Sequence, residues 1–85
     1  MKEFSYTIQD KYGLHARPAG ALSRMMAEYP CAVTMERCGR TCDAKQLLDL
    51  MGLGINKNDT VTLRAEGPEE EACVMAAEKF LTETV

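Results

Sequence analysis

The feature that most constrains this chain is where its apolar residues change period. Phe4, Tyr6 and Ile8 alternate with Ser5 and Thr7, the period-two pattern of a strand with one buried face. Val61, Leu63 and Ala65 alternate in the same way with Thr60, Thr62 and Arg64. Between them, Val33 and Met35 point one way and Thr34 and Glu36 the other, and Cys38-Gly39 supplies a two-residue hairpin turn. In that register Arg37 faces Arg40 and Met35 faces Cys42, which puts Cys42 on the apolar face. Strands that are apolar only at alternate positions cannot be buried on both sides. They predict one antiparallel sheet, covered by helices on one face and wet on the other.

A helical period takes over between and after these runs. One pattern opens near Ala16, with Pro18 in its first turn, where a missing N–H costs nothing. It continues through Ala19, Leu22 and Met26 and ends at Tyr29-Pro30. Residues 46–52 (QLLDLMG) predict a short helix ended by Gly52, followed by a turn from Asn56 to Asp59. Gly67-Pro68 breaks the last strand, and Glu69, Glu70 and Glu71 then stand at a helix start, where the dipole favours acids. Cys73, Val74, Ala77, Phe80 and Leu81 mark the buried face of that helix. The order is βαββαβα, an α+β open-faced two-layer sandwich. With 85 residues, a single domain over 1–85 owns one core and has no room for a deep pocket. Any chemistry is expected at its surface.

Composition narrows the function. A net charge of −3 argues against a nucleic-acid binder, which needs a basic surface to displace phosphate counterions. No apolar run approaches the roughly 20 residues of a membrane span, and nothing resembles a signal peptide, so the chain reads as cytoplasmic with no membrane insertion. Cys31, Cys38, Cys42 and Cys73 contain no CxxC pair. Cys38 and Cys42 would need distant ligands to hold zinc, so no metal and no cofactor are expected. The thiols read as reduced, mostly buried small hydrophobes, with Cys38 exposed at the hairpin tip and the most open to oxidation.

His15 is the only histidine. It stands at the start of the first predicted helix, on the loop side, within Gly13-Leu14-His15-Ala16-Arg17-Pro18-Ala19-Gly20. A helix N-terminus presents free N–H groups and partial positive charge, which suit a phosphate. Arg17 adds a permanently charged fork two residues later. A neutral imidazole nitrogen is a nucleophile able to form covalent intermediates. Imidazole and anion cradle together point to a phosphohistidine. The four residues from His15 to Pro18 do not by themselves separate this from a surface histidine beside a helix cap.

The segment from Gly13 to Ala19 resembles the active-site signature of HPr, the histidine phosphocarrier family of the bacterial phosphoenolpyruvate:sugar phosphotransferase system. The resemblance extends to the length, the element order, Gly39 in the hairpin, Leu53-Gly54-Ile55 after the short helix and Ala65-Glu66-Gly67 before the last one. It implies a four-stranded sheet of order 1-4-2-3 under three helices. It also implies a carrier, not an enzyme in itself. His15 would accept a phosphoryl group at Nδ1 from phospho-enzyme I, which takes it from phosphoenolpyruvate, and pass it to sugar-specific enzyme IIA domains. Arg17 would be the phosphate-side cation, and the backbone amides of Ala16 and Arg17 would meet the phosphoryl oxygens. Leu47, Leu48 and Met51 match the family's exposed docking patch, with Leu50 inward, and Arg17, Arg24 and Lys45 would ring it with positive charge for acidic partners. Asp49 departs from that pattern. The chain is expected to act as a monomer.

Gln46 stands where many relatives carry a serine phosphorylated by a dedicated kinase. It has no hydroxyl, so that switch is expected to be absent. Gly20, where a bulkier residue is common, should loosen the helix by roughly 0.8–1 kcal/mol relative to Ala. Gln46 and Asp49 leave room for an alternative, a paralogue serving a nitrogen-related or regulatory phosphotransfer branch. A binding module that carries no phosphate is disfavoured by the presence of His15.

Overall fold

The alternating runs form the strands expected of them. The computed structural model describes residues 1–85, with β1 (Lys2–Thr7), α1 (Ala16–Ala27), β2 (Ala32–Arg37), β3 (Arg40–Asp43), α2 (Leu47–Gly52), β4 (Thr60–Glu66) and α3 (Glu70–Thr84) in chain order. The strands make one antiparallel sheet of order β1-β4-β2-β3. Phe4, Leu63, Met35 and Cys42 form one cross-strand row on its inner face. The hairpin has the expected register, Arg37 opposite Arg40 and Met35 opposite Cys42. Cys38 and Gly39 both take left-handed backbone (φ 51° and 81°), as the tight turn requires to match the strand twist.

The helices cover the inner face. Leu22 and Met26 of α1, Cys73, Ala77 and Leu81 of α3, and Met35, Val61 and Leu63 of the sheet are fully buried in one core. Each large aliphatic side chain there contributes about 1.5–3 kcal/mol through lost contact with water. The Cys73 thiol points at the Met26 sulfur, 3.6 Å away, and so joins α1 to α3. Cys31 and Cys73 are buried, Cys42 is half-buried and Cys38 is exposed, all as free thiols. Burial, helped by the Asp49 carboxylate, pushes the Cys42 thiol up.

The outer face is polar and internally paired. Ser5 and Thr62 share a hydrogen bond of 2.8 Å, and Thr7 and Thr60 one of 2.9 Å. Arg64 on the central strand β4 donates to Glu3 on β1 and to Glu36 on β2, at 2.9 and 2.7 Å. Those two charge-assisted bonds tie three strands across the wet side.

Two details differ from the sequence-based expectation. α2 ends at Gly52 as expected, but Gly52 is not its left-handed residue; that is Gly54 (φ 62°), whose N–H returns to the Met51 carbonyl at 3.2 Å. A glycine two residues further on can take the left-handed stop because Leu53 still has right-handed backbone. Lys45, expected to stand free at the docking patch, is half-buried, and its ammonium donates to the Tyr29 carbonyl at 2.7 Å and so ties down the exit from α1. No helix is long and apolar enough to cross a membrane.

Candidate functional site

The loop between β1 and α1 is held from three directions. Ile8 N–H donates to the Asp59 carbonyl, and Gln9 and Asp10 N–H both donate to the Val85 carbonyl, at 2.9, 2.6 and 2.8 Å. Leu14 is buried, and its N–H donates to the Ile55 carbonyl at 3.1 Å. Gly13 between them has φ 68°, and any Cβ there would collide with the Ile55 carbonyl and the Asn56 backbone. Only glycine permits both the turn and the approach. The chain therefore enters α1 at a fixed place and angle.

His15 is the N-cap of α1, with extended backbone (φ −84°, ψ −177°) and no side-chain cap bond. Its carbonyl accepts the first helical bond from Ala19 N–H at 2.9 Å. The ring is free to project outward, and 42% of the side chain is exposed. The opening amides of a helix have no carbonyl four residues back to bond. Pro18 has no N–H, which leaves the amides of Ala16 and Arg17 open in the first turn, and neither bonds elsewhere. The Arg17 guanidinium is exposed and belongs to none of the ion pairs. An imidazole, two open amides and, two residues along the chain, an unpaired guanidinium thus belong to the opening turn of one helix, where an anion is favoured.

Arg24 lies seven residues on and therefore on the same helix face. Its Nη1 sits 3.4 Å from where a Cβ on Gly20 would be, so the missing side chain of Gly20 leaves room for the guanidinium to fold back along the helix. α1 packs against α2. On α2, Leu50 is buried while Leu47, Leu48 and Met51 are 37%, 83% and 41% exposed. Gln46 is its exposed N-cap and makes no side-chain cap bond. Asp49 is exposed on the same helix. An open cleft of about 300 Å³ between β3 and α2 is lined by Arg40, Cys42, Leu48 and Asp49 but not by His15 or Arg17, so it lies apart from the imidazole.

Two neighbours of His15 were not among the residues singled out from the sequence. Asp10 Oδ2 lies 4.0 Å from His15 Nε2. The Tyr12 ring meets the imidazole edge-on, with centroids 5.9 Å apart. The sequence signal available for them is Asp10-x-x-Gly13, a turn in which Asp10 accepts from Tyr12 N–H through its side chain (2.8 Å) and from Gly13 N–H through its carbonyl (2.9 Å).

An open-faced sandwich of order β1-β4-β2-β3, with its only histidine at the N-cap of the first helix and an unpaired arginine two residues on, defines a narrow class of small α+β proteins. The sequence model described as the PTS HPr component phosphorylation site matches residues 2–83, and the chain belongs to this family, the HPr phosphocarriers of the phosphotransferase system. It is 34% identical to the phosphocarrier protein HPr of Mycoplasma genitalium over 82 residues, covering 95% of this chain and 93% of that protein. A Mycoplasma histidine-containing phosphocarrier protein superimposes with a TM-score of 0.95 at 26% identity, over 98% of this chain and 94% of that one. HPr from Thermoanaerobacter tengcongensis does so with a TM-score of 0.93 at 31% identity, over 98% and 93%.

Proposed function

We propose that this chain accepts a phosphoryl group on His15 Nδ1 from phospho-enzyme I, charged by phosphoenolpyruvate, and delivers it to sugar-specific enzyme IIA domains in the cytoplasm. The observation that carries this reading is that His15 occupies the N-cap of α1 without capping it. The helix end therefore keeps its anion-binding amides, and the imidazole stands beside them as a nucleophile. Arg17 supplies charge to the phosphoryl oxygens from the same turn. Beyond these groups the cradle is open, which suits a carrier. Only contacts stronger in the transition state speed transfer, and a partner enzyme docked on the site brings most of those. A tighter cradle would hold the phosphoryl group against onward transfer.

Docking in this reading uses the exposed apolar side of α2, Leu47, Leu48 and Met51, with Arg17 and Arg24 beside it for acidic partners. Gln46 offers no hydroxyl, so kinase control at that position has no acceptor. Asp49 and Gln46, both exposed on or next to the docking face, favour a second reading in which the partners belong to a nitrogen-related or regulatory branch. Transfer assays with enzyme IIA domains of each branch separate the two. The test of the shared reading is incubation with enzyme I and phosphoenolpyruvate, followed by intact mass and phosphorus NMR. One acid-labile phosphate on His15 Nδ1, absent from His15→Ala, is expected. No gain of mass with a competent enzyme I would remove the carrier function.

A further inference from the structure

Which nitrogen of His15 attacks is decided by where the imidazole proton sits. A neutral imidazole carries one proton on either Nδ1 or Nε2, and only the bare nitrogen is nucleophilic. From the contacts around the ring we infer that Asp10 is a positioning residue for His15: its carboxylate, fixed opposite Nε2, holds the ring proton on that nitrogen and leaves the Nδ1 lone pair free to attack. This deepens the phosphoryl-acceptor reading of His15 and rests on it.

The carboxylate is not placed by chance rotation. Asp10 N–H donates to the Val85 carbonyl at 2.8 Å, and its own carbonyl accepts from Gly13 N–H at 2.9 Å. Its Oδ1 accepts from Tyr12 N–H at 2.8 Å, which leaves Oδ2 as the oxygen facing the ring. The side chain is 27% exposed, against 42% for His15. Tyr12 closes a second side, edge-on at an interplanar angle of 79°, with the Lys11 ammonium 5.0 Å from the Tyr12 ring centroid. No other carboxylate forms an ion-pair contact with His15. At 4.0 Å the contact is one of charge and not a direct hydrogen bond, and such contacts between catalytic groups commonly tighten when the partner closes over the site. The arrangement has the logic of a base held in one tautomer by a buried acid, here at a half-exposed surface.

The transfer step shows why this matters. The Nδ1 lone pair forms the N–P bond, and the donor's bond to phosphorus breaks with its electron pair leaving on the donor. Nε2 keeps its proton throughout, so the phosphorylated ring bears a positive charge next to Asp10. An anion fixed at Nε2 therefore favours both the reactive tautomer before transfer and the charged ring after it. It does so without touching the phosphoryl group, so it does not compete with the acceptor for that group.

The experiment uses the full chain labelled with nitrogen-15, in wild-type, Asp10→Asn and Asp10→Glu forms. Ring nitrogen shifts of unphosphorylated His15 report the tautomer, and initial rates with enzyme I and phosphoenolpyruvate report transfer. Asparagine retains a side-chain oxygen to accept from Tyr12 N–H, and an unchanged amide spectrum away from the loop verifies the fold. For Asp10→Asn the fraction protonated on Nδ1 is expected to rise, and the rate to fall, about two- to fivefold, the range of a half-exposed charge pair. Asp10→Glu is expected to recover part of both. Unchanged ring shifts and rate in Asp10→Asn would overturn the role of Asp10. A wild-type chain that takes no phosphate would instead overturn the acceptor reading, and ring shifts that still move in Asp10→Asn would retain the hold of Asp10 on the proton.

Discussion

Gly13 shows how one residue sets the position of another. With φ at 68° and the Ile55 carbonyl where a side chain would begin, it permits the turn that brings Asp10, Tyr12 and His15 together. Gly13→Ala should cost roughly 2–4 kcal/mol, from left-handed strain and a backbone collision, and denaturant unfolding measures it. Its phosphorylation should slow as well, since the loop must move to relieve the clash. Arg17 is the opposite case, exposed and bonded to nothing. Arg17→Ala should leave the melting temperature unchanged within error while slowing transfer both to and from His15; unaltered rates in both directions would remove it from the site. The place of His15 and Arg17 at the start of α1 was legible in the sequence because a helix start, a proline and a charged fork are local signals. Asp10 and Tyr12 were not, because a loop has no period. Whether their side chains turn toward the ring depends on bonds to Ile55, Asp59 and Val85, which are remote in sequence.

At the scale of elements, α1 carries a weakness that is simple to test. Gly20 is buried in the helix, and a Cβ there would meet only Arg24 Nη1, at 3.4 Å. That atom is the far end of a flexible side chain. Gly20→Ala should therefore stabilise the protein by about 0.5–1 kcal/mol through helix propensity, read as a higher midpoint in urea. On α2, Leu48 is 83% exposed, and Leu48→Asp should leave folding intact. In the docking reading it weakens partner affinity, measured by calorimetry against enzyme I. Alternation told which face each strand buries, and the pairing of Met35 with Cys42 followed from the two-residue turn. Strand order did not follow from it, because a period fixes faces and not neighbours. The left-handed turn at Gly54 after α2 was equally hidden, since two glycines stood within reach and only backbone geometry distinguishes them.

For the molecule as a whole, the polar clamps that close the fold also hold the loop that carries His15. Asp59 is the clearest. Its carboxylate is held below its ordinary value because it accepts the Asn56 N–H and then the Arg37 guanidinium, both at 2.7 Å. Its backbone accepts Ile8 N–H at the end of β1, and Arg37 also donates to the Leu53 carbonyl at 3.1 Å. Asp59, through its side chain and its backbone, and Arg37 thus together link the hairpin, the exit from α2 and the entry to the His15 loop. Glu70 is lowered likewise, by the Met1 ammonium and then by Gly67 N–H. For both groups the unfolded chain binds protons more readily than the folded one. Their stabilisation is therefore whole above the ordinary carboxylate pKa of about 4 and is lost as pH falls through the lower folded values. The melting temperature should hold nearly level from about pH 7 to 5 and drop below about pH 4. Asp59→Asn should lower stability at neutral pH and flatten that acid limb, and its amide signals should broaden first in residues 8–15, where the loop loses its anchor. An acid limb as steep as in the wild type would place the lost protons elsewhere. The candidate site and the fold then share a weak point: the ion pair between Arg37 and Asp59, at the ends of the two central strands, also sets how firmly the His15 imidazole is presented at the surface.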